Sequence, residues 1–225
     1  IPFLGWRWSV RGCKILAFLL VAWILTTIVF PTFAPAQEKI VRMALKASDI
    51  HSLDPHYGAN ATDYACIDSM FNALARFKPE DISLEKIEPD LAEKWERSRN
   101  SLVWTFYLRK GIKFHKGYGE LTAEDVKFSL EKAANKTTSS FAADYAALDK
   151  VEAIDPYTVR ITLKSALPSV LGILANYHGG YIVSKKAVLE KGEKFKFDPI
   201  GTGPFMLKEY LPKEKVAEVR HPDYF

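Results

Sequence analysis

The sequence predicts a mixed α/β domain of α+β character, and three observations carry that expectation. Several stretches alternate apolar and polar residues with the period of a strand, and others space apolar residues at i, i+3, i+4 and i+7 as a helix does. The two kinds follow one another without the regular strand–helix alternation of a doubly wound domain.

Taken in chain order, Lys39 to Leu45 alternates Ile40, Arg42 and Ala44 with Val41, Met43 and Leu45, which predicts a short strand. Ser52 to Gly58 is rich in turn residues. Ile67, Met70, Phe71 and Leu74 then mark an amphipathic helix, with Thr62 placed to cap its start. Pro89 to Trp95 opens with a proline suited to the first position of a helix. Leu102, Trp104, Phe106 and Leu108 alternate with Val103, Thr105 and Tyr107 and predict a strand. After a Gly- and Lys-rich loop over 111–119, Thr122 and Asp125 form a capping pair for a helix carrying Val126, Leu130 and Ala133. Asp155-Pro156 marks a turn, Val159, Ile161 and Leu163 a further strand, and Val170 to Ala175 a helix-like apolar segment after Leu167-Pro168. No internal repeat or low-complexity tract interrupts this order.

The first 36 residues differ in kind. Arg7, Arg11 and Lys14 precede an apolar run, Ile15 to Phe30, that only Thr26 and Thr27 interrupt, and Ala34-Pro35-Ala36 follows as a small-x-small cleavage pattern. The run is shorter than the roughly 20 apolar residues that span a bilayer comfortably. Residues 1–36 are therefore read as a secretory signal peptide and 37–225 as the exported part, with a single uncleaved membrane anchor as the competing reading. Cys13 lies before the apolar run, where it cannot be the acylated cysteine of a lipoprotein. Cys66 is then the only cysteine of the exported part, which excludes an intramolecular disulfide and suits a small core residue. The formal charge of +4 falls to about +1 once the three basic leader residues are set aside, so nothing implies nucleic acid. The sequence ends at His221-Pro222-Asp223-Tyr224-Phe225, just after a strand-like stretch, and the expectation is that the protein continues.

Catalytic patterns are absent. There is no Gly-x-Ser-x-Gly elbow, no His-Glu-x-x-His and no paired-cysteine metal motif. His51 and His56 share a loop, but their spacing is no metal signal, and surface or ligand-facing roles are expected of them. No metal and no cofactor is expected. His115 lies between basic residues without a nucleophile nearby, so a structural or exposed histidine is expected rather than a general base. Gly201-Thr202-Gly203-Pro204-Phe205 lacks the Gly-Lys-Ser/Thr ending of a phosphate loop and is read as a tight backbone passage in which glycines allow positive φ. The Lys-rich stretch from Lys185 to Lys196 is read as a solvated helix face.

Five segments in order resemble a known family. Leu53-Asp54-Pro55-His56, Pro89 to Trp95, Trp104 to His115, Thr122-Ala123-Glu124-Asp125-Val126 and Ile200 to Phe205 are similar to the ordered motifs of the peptide/nickel-type (family 5) extracellular solute-binding proteins. Asp155 to Val159 and Ser184-Lys185-Lys186 also fit, while the Asp-Gly pair that usually follows Phe-His is replaced by Lys116 to Glu120. The resemblance implies a periplasmic-binding-protein-like class II bilobal fold, of which 37–225 is the N-terminal portion and the second lobe is lacking. It implies a periplasmic binding protein, not an enzyme, that closes about its hinge on a ligand in the interlobe cleft and delivers it to the permease subunits of an ABC importer. The membrane is met only through the importer or an uncleaved leader. Oligopeptides lead as ligand, with nickel complexes, oligosaccharides and opines as other cargoes. The ligand-facing residues implied are Tyr57, Asn60, Phe141, Tyr145, Tyr177 and His178. An exported peptide sensor or chaperone-like binder without an importer is the alternative, and a secreted hydrolase a more distant one.

Overall fold

Trp104, Phe106 and Leu108 alternate with more exposed neighbours along a six-residue strand, and this pattern organises the largest sheet. In the computed structural model, which describes residues 40–44, 49–58, 60–81, 83–175 and 179–225, that strand is β4, Val103–Leu108. Before it lie helix α1 (Ala61–Met70), β1 (Ala75–Phe77), β2 (Ile87–Pro89) and β3 (Ala92–Arg97). After it come α2 (Ala123–Ala134), β5 (Leu148–Asp155), β6 (Thr158–Leu163), the single turn α3 (Val170–Ile173), α4 (Lys185–Lys191), β7 (Phe205–Leu211) and β8 (Lys215–Arg220).

The main sheet is antiparallel in the order β3-β4-β6-β5. Its register places Trp95 opposite Phe106 and Phe106 opposite Val159, so one face collects Trp104, Phe106, Val159, Ile161 and Val151, all buried. The other face carries Thr105, Tyr107, Arg160 and Thr162, which are exposed or half-buried, as the period of two requires. Helix α2 covers the apolar face, over β5 and β6, with Val126, Leu130 and Ala133 buried. Its start is the capping pair expected from sequence: the Thr122 amide donates to Asp125 Oδ2 at 3.0 Å. The second oxygen of Asp125 accepts from the Lys185 amide at 3.0 Å and so ties the start of α4 to that of α2. Two further pairs, β1-β2 and β7-β8, are two-stranded.

Several expectations need correction. Ile40–Ala44 form no strand; all five side chains are exposed, Val41 by 93%, and alternation stabilises a strand only against a partner. Helix α1 begins after Asn60, two residues ahead of the expected Thr62 cap, and ends at Met70, with Phe71 already extended. Phe71 and Leu74 are nonetheless buried in the core. Pro89 closes β2 instead of opening a helix. The segment after it is held extended because Leu91 and Ala92 amides donate to the carbonyls of Ala73 and Leu74, both at 3.0 Å, before β3 joins β4. Strands β1, β2 and β5 carry no clear alternation and were not anticipated. The leader, the proposed cleavage site and residues 45–48 lie outside the described residues. Among the described residues no helix is long and apolar enough to cross a membrane.

Candidate functional site

Three segments that are far apart in sequence converge beside α1 and the C-terminal half of α2. The first is the loop Ser52–Gly58. Its turn is built by Asp54, whose carbonyl accepts from the Tyr57 and Gly58 amides and whose Oδ1 accepts from the His56 amide at 3.0 Å. The second is the stretch after α2, where the Ser140 amide donates to the His56 carbonyl at 2.8 Å. The third, from Gly179 to Val183, passes between them.

Buried polar side chains fasten the three together. Lys132 of α2 reaches both oxygens of Asp54, at 2.9 and 2.8 Å, and His56 Nδ1 at 3.2 Å. His56 Nε2 lies 3.1 Å from the Tyr181 carbonyl. Because a lysine ammonium only donates, Nδ1 accepts and Nε2–H donates to Tyr181. Burial, reinforced by Lys132, holds the His56 imidazole down to about 3, so the ring is neutral. This corrects the surface or ligand-facing role expected of His56, which is fully buried; His51 is exposed, and its backbone amide donates to Asp63. Burial also pushes the Lys132 ammonium below its ordinary range, against the opposing pull of Asp54.

Tyr57 is half-buried, its ring within 5.2 Å of the Lys132 ammonium and 4.1 Å of that of Lys196, and its hydroxyl donates to the Thr137 carbonyl at 2.8 Å. Asn60 is exposed at the start of α1. Phe141 sets its ring edge-on to Tyr64 at 6.3 Å and lies against Gly179, where a Cβ would meet Phe141 Cδ2 at 3.0 Å. Gly179 has φ 78°, a second reason for glycine there. Tyr145 is buried and its hydroxyl donates to the Ile173 carbonyl, which places it behind this surface; burial pushes its phenol upward. Tyr177 and His178 lie outside the described residues, between Ala175 and Gly179. Tyr181, which sequence reasoning missed, is buried and donates to Asp68 Oδ1 at 2.6 Å.

A second polar fastening holds the Gly-Thr-Gly-Pro passage. His115, buried as a structural histidine, has its amide on Gly201 O at 3.0 Å, accepts the Gly201 amide on Nδ1 at 3.3 Å and reaches Gly203 O with Nε2 at 3.0 Å. Burial lowers this imidazole to about 4. Gly201 and Gly203 do not use positive φ, contrary to expectation. They are needed because the passage runs against the end of α1: a Cβ on Gly201 would strike Met70 O, and one on Gly203 would lie 2.5 Å from Ser69 O and 2.6 Å from Phe71 N. The Gly203 amide donates to Met70 O at 3.0 Å and satisfies a helix-end carbonyl.

The polar groups described here are bound to one another, and among the described residues no three His, Cys, Asp or Glu side chains gather as a metal site. A shallow, open recess lies between Phe197 and the β7–β8 hairpin, and Asp49 on its edge accepts from the Tyr210 hydroxyl and the Lys213 amide.

The α+β fold is similar to that of solved periplasmic binding proteins. Residues 86–225 match the profile of bacterial extracellular solute-binding proteins, family 5 (middle), and the chain belongs to that family. It is 32% identical over 212 residues to Di/tripeptide-binding protein 2 of Pseudomonas aeruginosa, covering 84% of this chain and 39% of that protein. Among solved structures, MoaA of A. tumefaciens R10 in complex with mannopinic acid superposes with TM-score 0.78 at 45% identity, over 80% of this chain and 36% of that one. The periplasmic binding protein DppA of Helicobacter pylori in complex with peptide STSA gives 0.71 at 30% identity, over 79% and 38%. The chain thus spans less than two fifths of the length of these relatives. They are binding proteins by name, and the first and last take peptides.

Proposed function

We propose that the chain supplies one ligand-facing wall of a periplasmic solute-binding protein that serves an ABC importer and holds a peptide-like ligand in an interlobe cleft. Family membership carries the reading. The approach of the Phe141 segment to the stretch that carries Tyr57 and Asn60 supports where the wall lies, since a pocket of aromatic and scattered polar groups orients a small ligand. In this reading residues 1–36 are the export signal and 37–225 the N-terminal portion of the binding domain, with the opposite wall supplied by a second lobe. Closure about the ligand presents one shape to the permease subunits, and the ligand's differential affinity for the closed state sets how far the population shifts. The work is conformational, with no bond made or broken.

A second reading of the ligand, an opine of the mannopinic acid type, is favoured by one observation. Identity to the mannopinic acid complex is 45%, against 32% to the di/tripeptide-binding protein. Calorimetry on the chain extended by the length its relatives possess, with dipeptides, tripeptides, glutathione and mannopinic acid as probes, decides between them. One of these is expected to bind at micromolar Kd or better, and Tyr57→Ala or Phe141→Ala to weaken it at least tenfold. No binding by any probe, or equal binding by the variants, sinks the reading. Residues 37–225 alone are expected to bind none of them tightly.

A further inference from the structure

We infer that Lys132 is the positioning residue of the proposed ligand wall: its side chain locks the Ser52–Gly58 loop and, through His56, the Gly179–Val183 segment, while its backbone holds the segment after α2. The inference rests on the functional reading above for what the wall is for. Its own ground is geometric.

Lys132 and Asp54 form an ion pair with side chains only 8% and 4% exposed. A buried pair is a poor source of net stability, because desolvating both charges offsets most of their attraction, and apolar replacements of similar volume often fold as well. Its effect lies in what it specifies. All three ammonium donors have acceptors, Asp54 Oδ1, Asp54 Oδ2 and His56 Nδ1, so the side chain has one orientation. These contacts act in two ways. The bidentate pair holds the Asp54 turn that carries Tyr57. The contact to His56 selects the imidazole tautomer whose Nε2–H reaches the Tyr181 carbonyl at 3.1 Å, and so grips the third segment. The same ammonium lies 5.2 Å from the Tyr57 ring centroid. The backbone of Lys132 grips the second segment as well, accepting from the Thr138 hydroxyl at 2.8 Å. Beyond the single antiparallel bridge of Tyr181 with Ala73, these segments have no strand ladder, and the ion adds directional contacts between them.

The test removes both charges at once. In the double variant Asp54→Leu/Lys132→Met of the whole chain, amide hydrogen exchange at Tyr57, Gly58 and Ser140 is expected to accelerate at least tenfold, while amides of β4 and β6 keep their rates. Nitrogen NMR of His56 is expected to change from the Nε2–H tautomer to a mixture, which loss of packing elsewhere would not produce. Unchanged exchange in the loops, or uniform acceleration throughout, overturns the inference. If the double variant does not fold, Lys132→Arg is judged by the same exchange criterion, since its longer, planar fork keeps the charge but not the three-way geometry. Neither readout uses a ligand. A selective exchange change in a protein that binds none of the calorimetric probes would therefore remove the ligand reading and leave the positioning role, and the reverse outcome would do the opposite.

Discussion

The β3–β6 sheet with α2 and the loop cluster beside α1 are held together by different physics. In the sheet the backbone satisfies itself through ladder pairing, so the side chains facing α2 need only be apolar, and Trp104, Phe106, Val159 and Ile161 are. The loop cluster has only an isolated bridge, Ala73 with Tyr181. Its buried backbone groups pair one by one with remote backbone or with side chains, and several buried polar residues take part: Asp54, His56, Asn72, Asp90, His115 and Thr202. Asn72 shows the economy of this, donating to Asp90 at 3.0 Å while accepting from the Thr202 hydroxyl at 3.1 Å. The cluster gains irregular shape this way, and its cost is dependence on single polar contacts.

The contrast can be broken at either side. Lys132→Met alone strands the buried Asp54 carboxylate and is expected to cost about 3–5 kcal/mol in urea unfolding, a large part of it recovered when Asp54→Leu is added and the remainder reflecting the acceptor that the His56 amide loses. The sheet should show no such rescue: Phe106→Ala, at a site with no exposure, is expected to lose about 3–5 kcal/mol from transfer and cavity terms together. If the double variant stays as unstable as the single one, the two regions do not differ as described.

Gly203→Ala tests close approach without charge. Its Cβ would press on the end of α1, and a loss of about 1–3 kcal/mol is expected, read as a lower denaturant midpoint at unchanged slope. A smaller effect would mean that the passage yields.

Acid should attack the loop cluster first. His56 at about 3 and His115 at about 4 both lie below the ordinary 6.5, through burial first, with Lys132 acting on His56 and His221 and Lys116 on His115. The unfolded chain therefore takes up these protons before the folded one. The stability contributed by each neutral ring is complete above pH 6.5 and is lost as pH falls, down to about 4 for His115 and about 3 for His56. Each histidine adds a slope of about 1.4 kcal/mol per pH unit in that window. Urea midpoints measured stepwise below pH 6.5 check this, and His56→Gln should flatten the slope. The smallest effect belongs to α2: Thr122→Ala is expected to cost about 1 kcal/mol through its capping pair, with the loop cluster's exchange rates unaffected.

Much of the sheet side was legible in the residues. Alternation located β4 and β6, and Thr122 with Asp125 located the start of α2, because period and capping are local properties of consecutive residues. On the loop side the residues disclosed the Ser52–Gly58 turn and a tight Gly201–Phe205 passage, and the resemblance to a family supplied the rest. Pro89 to Trp95 looked like a helix start because proline suits that position, and nothing local reveals that Ala73 and Leu74 wait to accept hydrogen bonds from Leu91 and Ala92. Lys132 sits beside Glu131 on what reads as an ordinary charged helix face, and no spacing announces a partner 78 residues away.

By itself, then, the sequence determined the mixed α+β class, the strand and helix identities that follow from period and caps, and the family through motifs kept in order. Only the tertiary structure decided which polar residues go inside and whom they meet. Burial turned His56 and His115 from titratable loop residues into neutral fasteners, and the closeness of the Gly201–Gly203 passage to α1, rather than a left-handed backbone, explained its glycines. Those outcomes depend on distance between remote segments, a quantity that neighbouring residues in a chain do not encode.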